Sequence, residues 1–221
     1  MIRGRTLSDR KTTTWPFGTL RPFSYDVMVV DPPWDFVNRS PAGTRKGADP
    51  HYDVMALADI KALPVGDLAR PDAVVLLWST GAMLPQALSV LDAWGAKYLS
   101  QIIWRKVTRN GKVRVGTGYR VRTSHEPVLL ASFGGRQTHK AFPSIFDGLA
   151  REHSRKPDEF YRMVVERTPD QDRCDLFSRE TRPGFDGWGR EHGKFDLMTR
   201  EQSGTSGLSG HGTTIPCTTF Q

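Results

Sequence analysis

The sequence predicts an α/β domain built on a mostly parallel sheet with helices on both faces. Short apolar segments of strand length recur along the chain, and amphipathic segments of helical period lie between several of them. The apolar segments are continuous rather than alternating, which is typical of strands buried on both faces of a sheet. The chain has 221 residues, enough for one domain with a sizeable core.

Six segments are predicted to be strands because they are short, apolar and bounded by polar or turn-forming residues. They are residues 26–31, 73–78, 98–104, 127–133, 144–146 and 174–177. Helical spacing of apolar residues predicts helices over about 54–63, 83–94 and 156–167. Gly95 suits the end of the second helix, and Pro157 followed by two acids suits the start of the third.

Composition divides the chain into a basic extension, one folded domain and a tail. Residues 1–24 are basic and irregular, residues 25–198 hold the predicted elements, and residues 199–221 are rich in Ser, Gly and Thr and are expected to be disordered. Lys and Arg outnumber Asp and Glu by 31 to 24, and the net charge of +7 favours a polyanionic partner. Cys174 and Cys217 are not expected to pair, and no apolar run is long enough for a bilayer.

The segment Asp31-Pro32-Pro33-Trp34 is the strongest candidate for chemistry, because it directly follows the first predicted strand. The carboxylate offers acceptor oxygens, the prolines stiffen the backbone and remove donors, and the indole offers a stacking surface. A planar group that carries an amine, such as the adenine exocyclic NH2, would match all three parts. The alternative is a turn in which Asp31 satisfies nearby amides and Trp34 fills the core.

Two further features point to a site beside this segment. Ligands of parallel sheets bind beyond the carboxyl ends of the strands, and Ser79-Thr80 and Phe177-Ser178-Arg179 follow such ends just as Asp31 does. Residues 105–122 contain no acid and are predicted to meet phosphates, with Tyr119 stacking on a base. The basic side chains concerned include Arg105, Lys106, Arg109, Lys112 and Arg114. A solvated basic loop is the alternative for this segment.

These residues, with others in order along the chain, resemble the MT-A70 family of S-adenosylmethionine-dependent adenine N6-methyltransferases. The resemblance runs from about residue 25 to residue 191. It rests on Asp31-Pro32-Pro33-Trp34, Tyr52-Asp53-Val54-Met55, Leu76-Leu77-Trp78-Ser79-Thr80-Gly81, Ile102-Ile103-Trp104-Arg105-Lys106, Ser154-Arg155-Lys156-Pro157-Asp158-Glu159 and Leu176-Phe177-Ser178-Arg179. Pro183-Gly184 and Trp188-Gly189 resemble the bacterial branch. The chain departs from the family pattern at two positions. Arg155 stands where some members have His, and Arg190 stands where an Asn often follows the Trp-Gly pair.

The resemblance implies a Rossmann-like methyltransferase core that binds S-adenosylmethionine and needs no metal. It implies that Asp31, Pro32, Pro33 and Trp34 form the catalytic motif and that Tyr52 covers the substrate base. The residues expected to face the cofactor are Asp31, Lys156, Phe177, Arg179 and Glu180. The residues alone leave alternatives open: a solvated Lys156, an ion pair of Arg179 with Asp175 or Glu180, a surface Glu180, and Tyr52 as a loop anchor.

The function implied by the resemblance is methylation of the adenine amine in nucleic acid. DNA is favoured over RNA because the chain is compact and its tail segment resembles bacterial members, and the expected location is the cytoplasm of a bacterium or of a phage-infected host. The alternative is a catalytically silent, nucleic-acid-binding subunit on the same fold. A small-molecule or protein methyltransferase is disfavoured by the basic segment. Homodimers and heterodimers are both compatible with the sequence, and no membrane partner is expected.

Overall fold

One mixed sheet of seven strands organises the part of the chain that the structure describes. The computed structural model describes residues 15–35, 54–116, 120–151 and 155–196. The strands run in the spatial order β5-β3-β4-β2-β1-β6-β7. In chain order they are β1 (Tyr25–Val30), β2 (Ala69–Trp78), β3 (Lys97–Val107), β4 (His125–Ser132), β5 (Ile145–Leu149), β6 (Arg173–Leu176) and β7 (Asp186–Trp188).

Strand direction places several strand ends at one edge of the sheet. Strand β4 is antiparallel to both neighbours, β2 and β3, whereas the pairings β1–β2, β1–β6, β3–β5 and β6–β7 are parallel. The predicted mostly parallel α/β sheet is therefore confirmed. The carboxyl ends of β1, β2, β3 and β6 lie at the same edge, and β4 begins there because it runs the other way.

Three α-helices are present among the described residues, close to where periodicity predicts them. They are α1 (Leu57–Ala62), α2 (Leu84–Ala93) and α3 (Asp158–Arg167), and short 3-10 turns cover Val65–Leu68 and Gly81–Met83. Gly95 follows α2 with φ of 78°, a left-handed conformation that glycine adopts without steric cost. Helix α3 begins after Pro157 and carries its two acids in the first turn, as predicted.

The two faces of the sheet carry separate apolar cores, so helices cover both faces as expected. In β1, Met28 and Val30 belong to a core cluster that includes buried residues of α1 and α2, whereas Val27 and Val29 belong to a second cluster with the buried side of α3. All four side chains are fully buried. This two-sided burial explains why β1 is a continuous apolar run.

The described part of the amino-terminal extension packs onto the domain. Phe17 and Leu20 lie in the first core cluster, and Phe17 makes an edge contact with Trp188 at a centroid separation of 5.1 Å. Residues 1–14 and 197–221, including all of the predicted tail, lie outside the described residues. None of the helices in the described ranges is both long and apolar enough to cross a membrane.

Candidate active site

The ends of β1, β2 and β6 converge, as their parallel direction predicts. The Asp31 backbone N–H donates to the carbonyl of Leu176 at 3.3 Å, which joins the residue after β1 to the last residue of β6. The backbone N–H of Ser79, directly after β2, donates to the carbonyl of Pro127 in β4 at 3.0 Å. Asp31 therefore lies in the middle of this edge, between β2 and β6.

The Asp-Pro-Pro-Trp loop is held by hydrogen bonds on both sides. The Trp34 N–H donates to the Pro32 carbonyl at 2.8 Å, and the Met55 N–H donates to the Pro33 carbonyl at 2.9 Å. The Trp34 indole N–H donates to the Trp78 carbonyl at 3.1 Å, and Trp34 is only 5% exposed within the core. Trp34 thus anchors the loop to the end of β2, and its contact with a substrate base stays a prediction.

Lys156 is the direct partner of the Asp31 carboxylate. The Lys156 Nζ lies 2.9 Å from Asp31 Oδ2 and 5.1 Å from the ring centroid of Trp78. The side chain of Lys156 is 11% exposed, which excludes the solvated alternative, whereas that of Asp31 keeps a quarter of its surface accessible. Burial raises the pKa of Asp31, and the charge and hydrogen bond of Lys156 oppose that rise.

Glu126 is a site residue that the sequence analysis did not assign. Its Oε1 lies 2.5 Å from the Lys106 Nζ, and its Oε2 lies 3.7 Å from the Lys156 Nζ. Burial alone would raise the pKa of Glu126, but the charges of Lys156 and Lys106 hold it below its usual value. Alternating charges therefore run from Lys106 through Glu126 and Lys156 to Asp31, and we call these four residues the charge chain.

All five residues predicted to face a cofactor line one cleft beside the charge chain. The cleft contains about 320 Å³ of empty space, part of it open to solvent. The predicted residues are Asp31, Lys156, Phe177, Arg179 and Glu180, and the cleft is also lined by Arg155, Tyr161, Asp175, Ser178, Arg182 and Phe195. Their roles toward a ligand stay predictions. Among the described residues, no group of three or more His, Cys, Asp or Glu could hold a metal ion.

Glu180 and Arg179 are engaged by neighbours within this cleft. Glu180 is buried rather than on the surface; it forms an ion pair with Arg155 and accepts a hydrogen bond from Arg182 at 2.6 Å. The Nε of Arg179 lies 2.8 Å from Glu191 Oε2, a partner that the sequence analysis did not consider. The expected contacts of both residues with a cofactor therefore stay predictions.

Asp175 is a second buried carboxyl in the cleft. It lies in β6 and is 2% exposed, and its Oδ2 accepts no hydrogen bond from the described residues. Burial raises the pKa of Asp175 to about 7, although the charge of Arg182 and a hydrogen bond from Tyr161 oppose the rise. A buried carboxylate oxygen without a protein partner is suited to accept a hydrogen bond from a ligand.

Phe177 adopts an unusual backbone conformation at the wall of the cleft. Its φ is 63°, in the left-handed region that bulky side chains rarely occupy. Its ring contacts the Trp188 ring edge-on at 5.2 Å, and Trp188 in turn contacts Phe17. Backbone strain of this kind is typically retained where neighbouring structure fixes a residue at a functional site.

The last residues of β3 and the segment that follows it form a short arm, here called the basic arm, of residues 105–116 and 120–124. The N–H of Gly116 donates to the carbonyl of Thr123 at 2.8 Å, which holds its two parts together. Arg105 forms a salt bridge with Asp147 at 2.5 Å, and Lys106 belongs to the charge chain. Besides Arg105, the exposed basic residues are Arg109, Lys112, Arg114, Arg120 and Arg122. Tyr52 and Tyr119 lie outside the described residues.

Comparison with known proteins finds a matching family model and several relatives. The family model described as MT-A70 matches residues 25–191. An N(6)-adenosine-methyltransferase MT-A70-like protein of Arabidopsis thaliana is 31% identical over 159 residues, which are 71% of this chain and 22% of that protein. The human N(6)-adenosine-methyltransferase catalytic subunit METTL3 is 28% identical over 70% of this chain and 26% of its own length.

A bacterial relative matches over most of its own length. The type II methyltransferase M.MunI of Mycoplasma sp is 24% identical over 186 residues, which cover 76% of this chain and 77% of that protein. By contrast, the chain spans about a fifth to a quarter of the plant and animal relatives. Because the family model covers most of the chain, including the residues of the Asp-Pro-Pro-Trp loop and of the cleft from Lys156 to Glu180, the chain belongs to the MT-A70 family.

Proposed function

We propose that this chain is an S-adenosylmethionine-dependent methyltransferase that acts on the exocyclic amine of adenine in nucleic acid. The observation that carries the proposal is the Asp31 carboxylate, which lies at the carboxyl end of β1 with part of its surface accessible and with Lys156 at 2.9 Å. An oriented carboxylate and the carbonyl of the stiff Pro-Pro backbone beside it offer two acceptors for the two hydrogens of an NH2 group.

The amine needs orientation because its lone pair is delocalised into the adenine ring. In the proposed geometry Asp31 accepts one N–H and the Pro32 carbonyl accepts the other, which frees the lone pair for the methyl carbon. The Pro32 carbonyl already accepts from Trp34, but a carbonyl oxygen has a second lone pair. The amine loses one proton when the nitrogen–carbon bond forms, and Asp31, whose pKa is raised by burial, accepts it.

The cleft suits the charges of S-adenosylmethionine, whose amino-acid part carries an ammonium and a carboxylate beside the sulfonium. Lys156 and Arg179 would hold the carboxylate and the ribose of the cofactor. Asp175, with its unpartnered buried oxygen, would accept a hydrogen bond from a cationic or hydroxyl group of the cofactor. The cofactor supplies an electrophilic methyl group with a neutral thioether as leaving group. Phe177 and Glu180 contribute to the walls of the cleft.

The basic arm is the proposed contact for the phosphate backbone. It leaves β3 at the same sheet edge as Asp31, and Arg109, Lys112 and Arg114 are exposed on it. Because Asp31 lies inside a cleft, a target adenine must be unpaired or flipped out of a duplex to reach it. We favour DNA over RNA because the match to a bacterial type II methyltransferase, a class that modifies DNA, covers most of that protein.

Methyl transfer from labelled S-adenosylmethionine tests the proposal directly. The substrates are single-stranded DNA, duplex DNA and RNA of mixed sequence, and the products are separated as nucleosides. We expect label in N6-methyladenine with the wild type, and a loss of about 100-fold or more with Asp31→Asn, which keeps the shape but loses the charge. Asp92→Asn, on the exposed side of α2, is the matched control. Near-normal transfer by Asp31→Asn would refute the mechanism.

A cofactor-binding measurement separates the enzyme from the silent-subunit alternative. Binding of S-adenosylmethionine without transfer to any of the three substrates would point to a missing partner or recognition sequence. Absence of both binding and transfer, with nucleic-acid binding retained, would favour a catalytically silent subunit.

The arm is tested by charge removal and salt dependence. Replacing three of its exposed cations by Gln should weaken nucleic-acid binding and lower the slope of log affinity against log salt by about 2–3. The variant is Arg109→Gln, Lys112→Gln, Arg114→Gln, and a control of equal net charge is Lys97→Gln, Arg136→Gln, Lys140→Gln, all exposed outside the arm. An equal effect of both variants would make the arm no more than a solvated loop.

A further inference from the structure

The segment after β7 folds back on the cleft, although most of it lies beyond the matched family region. The family match ends at residue 191, and the structure describes the chain to residue 196. Asp196 accepts hydrogen bonds from the Thr181 backbone N–H at 2.8 Å and from the Thr181 hydroxyl at 2.7 Å. The N–H of Phe195 donates to the Arg179 carbonyl at 3.1 Å. This segment is therefore attached to the loop that follows β6.

The side chain of Phe195 is one of the walls of the cleft. It is 2% exposed and lines the same space as Asp31 and Lys156. The guanidinium carbons of Arg155 and Arg179 each lie 4.8 Å from the centroid of its ring. One aromatic ring thus contacts two of the three arginines that line the cleft.

Two guanidinium groups that share a buried ring are restricted in position. The π face attracts each cation, and this attraction is stronger where water is excluded. The acids Glu180 and Glu191 pair with Arg155 and Arg179 respectively, so ring and acids together fix both cations. Removal of the ring would leave the acids in place but would admit water to the wall and free the guanidinium planes.

We propose that Phe195 is a positioning residue of the cofactor cleft, holding Arg179 and Arg155 in the orientation in which they receive S-adenosylmethionine. The proposal rests on the proposed function, since it assigns the cofactor to this cleft. It adds that a residue outside the matched family region completes the site. Phe195 acts through the two arginines and makes no contact with the transferred methyl group.

Direct titration of the full chain with S-adenosylmethionine and with the product S-adenosylhomocysteine, without nucleic acid, tests the proposal. Phe195→Ala should raise the Kd of both by about tenfold or more, and Phe195→Tyr, which keeps the π face, should stay within about twofold of the wild type. Phe195→Leu fills the space without a π face and should behave like Phe195→Ala. Phe142→Ala, a half-buried phenylalanine outside the cleft, controls for loss of an aromatic ring.

Kinetics distinguish positioning from a general loss of structure. At saturating S-adenosylmethionine the kcat of Phe195→Ala should remain near that of the wild type while the KM for the cofactor rises, because the lost interaction is present in ground and transition states alike. Binding by Phe195→Ala as tight as or tighter than the wild type, or wild-type binding by Phe195→Leu, would overturn the proposal. A wild type that binds no cofactor would overturn both this inference and the proposed function.

Discussion

Replacing Lys156 by Met tests whether the Asp31 carboxylate depends on one lysine. The change removes the Nζ that lies 2.9 Å from Asp31 and 3.7 Å from Glu126, while a side chain of similar length still packs on the ring of Trp78. At an effective dielectric constant of about 20, these two attractions are each about 4–6 kcal/mol. Desolvation of the ammonium offsets part of them, and loss of one partner of a buried pair typically costs 3–5 kcal/mol.

The expected result is a lower free energy of unfolding by about 3 kcal/mol at pH 8, or about 6–12 °C in Tm. The deficit should shrink at pH 5. Burial already raises the pKa of Asp31, and without Lys156 the pKa values of Asp31 and Glu126 both rise. When a carboxyl binds its proton more tightly in the folded state than in the unfolded state, the folded protein loses stability as the pH increases. The loss of stability caused by Lys156→Met is therefore greatest at the pH where both carboxyls must ionise.

Urea unfolding at both pH values, with Lys140→Met as an exposed control, measures this difference. Methyl transfer should fall together with stability at pH 8, because Asp31 loses the lysine that stabilises and orients its carboxylate. Equal deficits at pH 5 and pH 8 would show that Lys156 contributes packing rather than charge. A variant as stable as the wild type at pH 8 would refute the reasoning about the charge chain.

Three further changes test separate parts of the site. Trp34→Phe removes the indole N–H from a buried carbonyl and should lower the free energy of unfolding in urea by about 1–3 kcal/mol; an unchanged midpoint would mean that water replaces the bond. Gly148→Ala would place a Cβ 2.7 Å from the Pro157 ring, so it should lower Tm and weaken binding of S-adenosylmethionine, whereas Gly135→Ala, with open space around it, should do neither. Asp175→Asn removes a carboxyl with a pKa of about 7. As the pH rises from about 4 to 7, the free energy of unfolding of the variant should therefore fall less steeply than that of the wild type, by up to about 1.4 kcal/mol per pH unit. Parallel pH curves for wild type and Asp175→Asn would contradict that value.

Apolar periodicity was sufficient to predict most elements of the sheet and all three α-helices among the described residues. Strand β1 is a clear example, because a strand buried on both faces must be apolar at every position. Strand β7 was missed, since three residues with an exposed Asp186 carry no pattern. The length of β3 was also underestimated, because it continues through Arg105 and Lys106, two charged residues that the sequence assigned to the basic segment.

Glu126 shows why part of the site could not be assigned from the sequence. It lies near the start of β4, and the start of a parallel strand would lie at the edge opposite Asp31. The antiparallel direction of β4 brings Glu126 to the functional edge instead. The sequence identifies a strand there, but strand direction is decided by the pairing of β4 with β2 and β3.

The sequence by itself determined the fold class, the family and the residues that carry the candidate chemistry, since these depend on local composition and on ordered motifs. Only the tertiary structure decided how these residues combine. It buried Trp34 in the core, paired Asp31 with Lys156, added Glu126 to the charge chain and placed Phe195 against two arginines of the cleft. These are contacts between segments distant in the chain, and they depend on which strands are adjacent and on the direction in which each strand runs.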